Sequence, residues 1–368
     1  MKIRFAMKSV GVGLLIMAMS SITWPQTPGA SSRRSEALYP LCRTAKMCGY
    51  IDQTGKVVVP QIYANTGRFS EGRGRVQSAN GKWGFLNTSG KVAIPTKFDD
   101  AADFHEGLAR VTVRGKSGFI DDTGAWVIPP SISEGPRALP AGVDDFSDGM
   151  AFISELNGRQ GWIDRTGRLV LNVPTEDSTN WISASGGFGD GLVVFMVSPK
   201  QGTAASLYGY MNKSGEKVIR AQFANAAAFG HGLAGVQSGS SQGGKWGYID
   251  PTGRVVIGFR FTYVEGFSDG LAVVGLSDKC GYIDTSGTFV IQPVYDSCGD
   301  YSEGLAYVRR GTESGFISRD GKMIPTPRFR AVSSFSSGLA AVELDAGYAY
   351  VAKDGRVIAR SRAEIPPF

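Results

Sequence analysis

Only two histidines, His105 and His231, occur in 368 residues, and that scarcity removes the residue on which most triads, proton relays and metal centres depend. Both fall in tight turns before a glycine, where His231 replaces an acid, so a turn role is expected of each. No H-E-x-x-H, Walker or Cys-x-x-Cys pattern is present. Neither metal nor cofactor is expected. Long apolar runs are missing too: the uninterrupted stretch Val10 to Met19, "VGVGLLIMAM", falls short of the about 20 residues that span a bilayer. It follows Lys2, Arg4 and Lys8 and precedes polar, Pro-containing sequence, the order of an export signal. Residues 1–30 are therefore expected to be a cleaved signal and short linker, with a retained anchor as the alternative. No cysteine follows the run directly, which argues against lipidation. Surplus charge is small as well: of the formal +6, residues 1–30 hold three bases and no acids, which leaves +3. No nucleic-acid partner is expected from so little.

What is abundant is glycine, 50 residues against 17 prolines and with no G-X-Y period, so glycine serves turns. Hydrophobic residues at 42% supply a core and aromatics at 11% favour strands. Four cysteines, Cys42, Cys48, Cys280 and Cys298, are an even number in a chain that reads as exported, consistent with disulfides.

The chain repeats itself. Gly55, Gly90, Gly124, Gly167, Gly215, Gly253, Gly287, Gly321 and Gly355 each stand six residues after a glycine, except that the ninth copy has Ala349 there. The residue after that first position is always aromatic, from Tyr50 and Phe85 to Tyr350, and the next is always aliphatic. A second landmark, aromatic-x-acid-Gly as in "FSDG", ends at Gly72, Gly107, Gly149, Gly191, Gly232, Gly270, Gly304 and Gly338, with His231 or Ser337 replacing the acid twice. A period near 34 residues marks an array, a solenoid or a propeller.

The pattern "KWGYID..G+VVI...F....F.(D/E)GLA.V" resembles the WG-repeat, or KWG-repeat, family over roughly Leu38 to Ala359, although the Trp-Gly dipeptide itself stands only at Trp83-Gly84 and Trp246-Gly247. The resemblance implies a β-rich repeat, frequent in bacterial proteins and often exported, and implies no general activity or catalytic residue.

Residue chemistry points the same way. Two β-prone runs flank Asp-x-Thr-Gly, which reads as a hairpin whose Asp or Asn caps the turn and whose glycine takes the left-handed conformation of a G1 bulge. Hairpins are expected at 48–60, 83–95, 117–129, 160–172, 208–220, 246–258, 280–292, 314–325 and 348–359, within a domain over 31–361 followed by a tail at 362–368. The acid-Gly pair leads into a short "LAxV" strand that pairs with the following hairpin. The expected fold is all-β: about nine three-stranded meanders, each apolar on both faces and unable to bury them alone. An open curved array is favoured, because nine units exceed the four to eight blades usual in propellers. A closed ring is the alternative. The gap left by the first glycine is the expected seat of the "FSDG" aromatic.

Cys48 and Cys280 occupy the Trp position, and Cys42 lies on the strand beside Cys48. A Cys42–Cys48 bridge is expected, with Cys280–Cys298 by elimination and buried free thiols as the alternative.

Departures from the repeat carry the local information. The third and fourth copies hold "PSISEGPRALPAGVDD" and "NVPTEDSTNWISASGG", and longer loops start at Ser198 and Ser238. Trp181 beside Glu176, Asp177 and Asn180 is the candidate ligand site, an aromatic face with acceptors next to it, suited to a saccharide or peptide. The acid pairs Asp99-Asp100, Asp121-Asp122 and Asp144-Asp145 suit a glycosidase only if they converge, and "GGFGDGL" imitates a phosphate loop without its strand and helix. The expectation is an exported, non-enzymatic scaffold for a protein or cell-envelope partner; a carbohydrate-binding module or carbohydrate-active enzyme is the alternative.

Overall fold

The computed structural model describes residues 37–44, 46–133, 142–154, 160–172, 179–184, 186–201, 204–239 and 243–362. The export segment, Glu176, Asp177 and nearly all of the C-terminal tail lie outside them. Every regular element among the described residues is a strand, and no helix there is long and apolar enough to cross a membrane.

Nine small antiparallel sheets follow one another in sequence and form a ring, a nine-bladed β-propeller. Blade 2 shows the plan: strands Asn65–Ser70, Arg73–Gln77, Trp83–Asn87 and Val92–Phe98 pair in that order from axis to rim. The expected meander is the outer three of these. The fourth, axial strand carries the "FSDG" aromatic and precedes the acid-Gly turn, so most sheets are four-stranded rather than three. The acid takes a positive φ, as at Glu71 (51°), and so does its glycine, Gly72 (77°), the pair of left-handed residues that a tight type I′ hairpin requires. In blades 4 and 9 the axial strand is reduced to isolated bridges such as Val143↔Ile153 and Val332↔Val342. Blade 1, with strands Tyr39–Thr44, Met47–Ile51 and Val57–Tyr63, has no axial strand among the described residues.

The Asp-x-Thr-Gly turns close as their chemistry dictates. Asp52 Oδ1 accepts from the Thr54 amide (2.8 Å), the Thr54 hydroxyl (2.6 Å) and the Lys56 amide (3.1 Å), and Gly55 takes φ 87°. The same set recurs at Asp121, Asp164, Asp250 and Asp284. Those bonds favour the carboxylate, and Asp250, held chiefly by the Thr252 hydroxyl, is brought down to about 2.

In blades 1 to 7 the first glycine of the repeat is required by backbone, not by a phenylalanine, which corrects the expected seat; at Gly315 of blade 8 a Cβ would instead meet Met323 Sδ, at 2.9 Å. A Cβ at Gly84 would stand 2.5 Å from Ile94 O and 2.7 Å from Pro95 O, because the outer strand bulges there and presses its carbonyls onto the third strand. Blade 9 has no bulge at this point, since Ala349 pairs regularly with Arg360, and alanine fits. The axial aromatic instead meets the aromatic that follows the glycine in the preceding blade. Eight such pairs, Tyr50–Phe69, Phe85–Phe104, Phe119–Phe146, Trp162–Phe188, Tyr210–Phe229, Tyr248–Phe267, Tyr282–Tyr301 and Phe316–Phe335, have centroids 4.6 to 5.4 Å apart. Burying each ring contributes roughly 2–3 kcal/mol, all of it between blades.

Closure is the same packing applied once more, and it overturns the open array favoured above. An open chain of blades would leave Leu339, Ala341 and Tyr350 of blade 9 and Tyr39 and Ile51 of blade 1 facing water. In the ring they form one buried cluster, with Tyr39 and Tyr350 5.5 Å apart. Blade 1 has one more residue between its first two strands than blade 8: Leu41, eight residues back, stands opposite Gly49, where Val308, seven back, stands opposite Gly315. Cys42 is thereby placed across from Cys48, to which it is bonded. Cys280 is bonded to Cys298, and this bridge staples blade 7 to the axial strand of blade 8.

Candidate functional site

The "FSDG" turn does more than reverse the chain. Its acid reaches into the next blade and accepts from the turn there: Glu71 from Gly107 (2.7 Å), Glu106 from Asp148 (2.7 Å) and Gly149 (2.9 Å), Asp148 from Gly191 (2.6 Å), Asp190 from Gly232 (2.7 Å), Asp269 from Gly304 (2.8 Å) and Glu303 from Gly338 (2.9 Å). Its serine donates to the carbonyl of the next axial aromatic, as from Ser70 to Phe104 (2.6 Å) and Ser302 to Phe335 (2.6 Å). The letters Gly266-Phe267-Ser268-Asp269-Gly270 imitate a nucleophile elbow, but Ser268 Oγ donates to Tyr301 O at 2.7 Å as one of these clasps. His231 sits in the same turn at φ 56°, where an acid would otherwise clasp Gly270. Tyrosine hydroxyls add a third tie, with Tyr50, Tyr210, Tyr248 and Tyr282 donating to the carbonyls of Gly67, Ala227, Glu265 and Gly299.

Against these fixed columns one axial column varies. The residue before each axial aromatic is Arg68, Asp103, Asp145, Gly187, Ala228, Gly266, Asp300 and Ser334 in turn. Arg75 Nε lies 2.9 Å from Asp103, and His105 Nε2 lies 3.5 Å from Asp145. Burial pushes the Asp103 carboxyl up against the pull of Arg75, and burial likewise raises Asp144 and Asp300. On blade 7, burial raises Glu265, with Asp300 adding to it. Of the three acid pairs, Asp144-Asp145 is the one with a carboxyl near another axial acid, since Asp145 acts on Asp103; Asp100 opens the axial strand of blade 3 with its carboxyl 3.9 Å from Arg110. Asp121-Asp122 belongs to a rim turn, and Asp99 is engaged by Lys82 and by the Arg114 amide (2.5 Å).

Trp181 is not in an insertion. Residues Asn180–Ala184 form the axial strand of blade 5, with Trp181 opposite Ser198 and Ile182 buried in the core, because "WISA" has the β-prone alternation that strand needs. The Trp181 side chain lies outside what the structure describes. Asn180 donates to the Thr179 hydroxyl (2.9 Å). Nearby, a cavity of about 280 Å³ between blades 4 and 5 is lined by Leu171, Ile182, Phe195, Met211 and Lys217, with the Lys217 ammonium 5.5 Å from the Phe195 ring centroid. Among the described residues no cluster of His, Cys, Asp and Glu is arranged to hold a metal ion.

A second cavity, of about 490 Å³, is elsewhere. It lies beside blade 1, which has no axial strand among the described residues, between Arg68 and Phe69 of blade 2, Ala37–Pro40 of blade 1, and the axial segment 331–336 and Tyr350 of blade 9. Sequence reading missed it, since its signal is a motif that fails to appear: no "FSDG" precedes Tyr39. The varied axial column was legible but overlooked, as a column without pattern between patterned ones.

The chain resembles solved structures only distantly. The extracellular domain of a protein assigned as a hybrid two component system from B. thetaiotaomicron is 12% identical, with a TM-score of 0.28 over 89% of this chain, which spans about half (50%) of that one. Virginiamycin B lyase from Staphylococcus aureus is 14% identical, with a TM-score of 0.34 over 67% of this chain and 90% of its own. A europium-containing methanol dehydrogenase is 12% identical, with a TM-score of 0.39 over 72% and 80%. No curated protein matches. The pattern of the WG containing repeat matches at residues 49–83, 83–116, 118–159, 208–240, 246–280, 281–311 and 315–348, and the chain belongs to the WG-repeat family.

Proposed function

We propose that the protein is an exported, non-enzymatic scaffold that binds a protein or cell-envelope partner on the axial face of the ring. The observation that carries this reading is how the polar motifs are used. The repeated aspartates cap turns, and the acids and serines of "FSDG" join blades. The polar side chains left to vary precede the axial aromatics, at Arg68, Asp103, Asp145 and Asp300. Partner recognition falls on residues that rigid elements hold and the repeat does not fix. Two disulfides agree with an oxidising compartment and so with export.

Affinity capture from the native envelope, with the wild-type chain and an Asp103→Asn/Asp145→Asn variant, tests the reading. A discrete partner retained by the first and lost by the second supports it. Turnover of a polysaccharide that disappears in Asp144→Asn or Asp145→Asn overturns it in favour of a carbohydrate-active enzyme.

A further inference from the structure

The clasp of an acid on the next blade's turn is made at six joints among the described residues, and one further joint has the receiving turn without the acid. Between blades 2 and 3, 3 and 4, 4 and 5, 5 and 6, 7 and 8, and 8 and 9, a carboxylate oxygen accepts from the glycine amide of the next axial turn at 2.6 to 2.9 Å. Between blades 6 and 7 the position of the acid is taken by His231, which is exposed. The receiving turn is unchanged: Asp269 and Gly270 take φ 51° and 76°, against 52° and 77° for Glu106 and Gly107. Gly270 therefore presents its N–H as the six others do, and among the described residues no side chain accepts it. Blade 9 lacks the acid as well, at Ser337, but blade 1 has no turn of this kind among the described residues to receive one.

Gly107 shows the seat when it is filled. It donates to Glu71 Oε2 at 2.7 Å, and the Arg165 guanidinium stands 3.7 Å from where its Cβ would lie. At Gly270 the Arg319 guanidinium stands 4.0 Å from the same point, so the neighbouring cation is kept and the anion is not. The acids on either side are turned into their own clasps, Asp190 onto Gly232 (2.7 Å) and Asp269 onto Gly304 (2.8 Å). The joint's other ties are relaxed too. Gly230 stands where Ser70 and Ser302 donate across their joints, and a Cβ there would meet nothing within 4 Å. Thr285 stands where Arg165 and Lys213 reach back to the preceding blade's acid turn.

We infer that the joint between blades 6 and 7 is a carboxylate-binding site, filled by an acidic side chain of a partner protein. One oxygen accepts from the Gly270 amide, as Glu71 Oε2 does from Gly107, and the other accepts from the His231 imidazole, which carries an N–H in either protonation state. Paired left-handed turn residues orient backbone N–H groups toward an anion at no cost of reorganisation. The site lies at the end of the blade 7 axial strand, Tyr263–Ser268, and so at the margin of the axial face; that a protein supplies the carboxylate rests on the scaffold reading above.

The probe is acetate, titrated against chloride at constant ionic strength and followed by amide NMR on the full chain. A saturable shift of the Gly270 amide is expected, half-complete at about 10–100 mM, as a charge-assisted hydrogen bond allows. The amides of Gly107, Gly232, Gly304 and Gly338, which already hold carboxylates, are expected not to move. His231→Asp supplies the missing acid within the chain and is expected to abolish the shift; His231→Gly, which the left-handed backbone accepts, removes the second donor and is expected to weaken acetate about two- to tenfold. No saturable shift at Gly270, an equal shift at the other turn glycines, or a shift that persists in His231→Asp overturns the inference. Retention of a captured envelope partner is expected to weaken in His231→Asp, and unchanged retention overturns the partner's place in the site. Capture by a chain whose Gly270 amide ignores acetate leaves the scaffold reading standing while this one falls.

Discussion

Gly84→Ala separates two accounts of the repeat glycine by the sign of its effect. Gly84 has an ordinary negative φ, so alanine is allowed by its backbone. Were there room for a methyl group, the substitution would stabilise the protein by about 0.4–1 kcal/mol, because alanine has less conformational freedom to lose on folding. Room is what the structure denies: the new Cβ would lie 2.5 Å from Ile94 O and 2.7 Å from Pro95 C, both backbone atoms of a bulged strand locked by pairing at Phe85↔Ile94 and Trp83↔Phe98. Forcing an extra methyl into packing of that kind costs about 1–3 kcal/mol. For a cooperative unit of this size each kcal/mol is worth roughly 1–2 °C, so a fall of about 1–6 °C is expected by calorimetry. Ala349→Gly is the control, at the position where blade 9 lacks the bulge. It is expected to cost no more than about 1 kcal/mol, from chain entropy alone. An unchanged or raised melting temperature for Gly84→Ala would refute the close approach and, with it, the reason given for the family's signature glycine.

Three further outcomes follow from the inter-blade ties. His231→Asp places an acid opposite Gly270 N, in a left-handed position that aspartate tolerates, and should raise stability by up to about 1 kcal/mol in urea titration; Glu106→Ala, which removes bonds to two amides, should lower it by about 1–2 kcal/mol. Burial raises the Asp300 carboxyl in the folded state, so the stability associated with its protonated form is complete below the unfolded-state value and is lost as pH rises through the folded one; Asp300→Asn should therefore gain stability over wild type on going from about pH 4 to pH 7, read as a widening melting-temperature difference. Reduction of the Cys280–Cys298 bridge, which spans 18 residues, should cost about 3 kcal/mol by the loop-entropy relation, measured as a lower denaturation midpoint in dithiothreitol with Cys42→Ala/Cys48→Ala as background.

Local chemistry was legible because the repeat restates it. Asp52, Asp121 and their equivalents announce a capped turn through their spacing to Thr and Gly alone, and Cys42 and Cys48 lie near enough in the chain to meet across a hairpin. Trp181 was misplaced for the opposite reason. Its strand is defined by a partner, Ser198, on the far side of a turn that the fourth copy lengthens, and nothing local distinguishes such a strand from a loop. The axial strand escaped notice in every copy because its pairing partner follows the acid-Gly turn, so the motif read as a lead-in rather than as a hairpin.

From its letters alone the chain fixes nine copies of a β unit, their turns and their shared need for neighbours, since turn chemistry and side-chain alternation act within a few residues. Whether the ninth copy meets the first is decided by burial at the seam, where Tyr39, Tyr348 and Tyr350 bond to groups some 300 residues away in sequence. The signature glycine's purpose and the cavity at blade 1 belong to that same level. Each depends on how closely two backbones approach, a distance that only the packed ring sets.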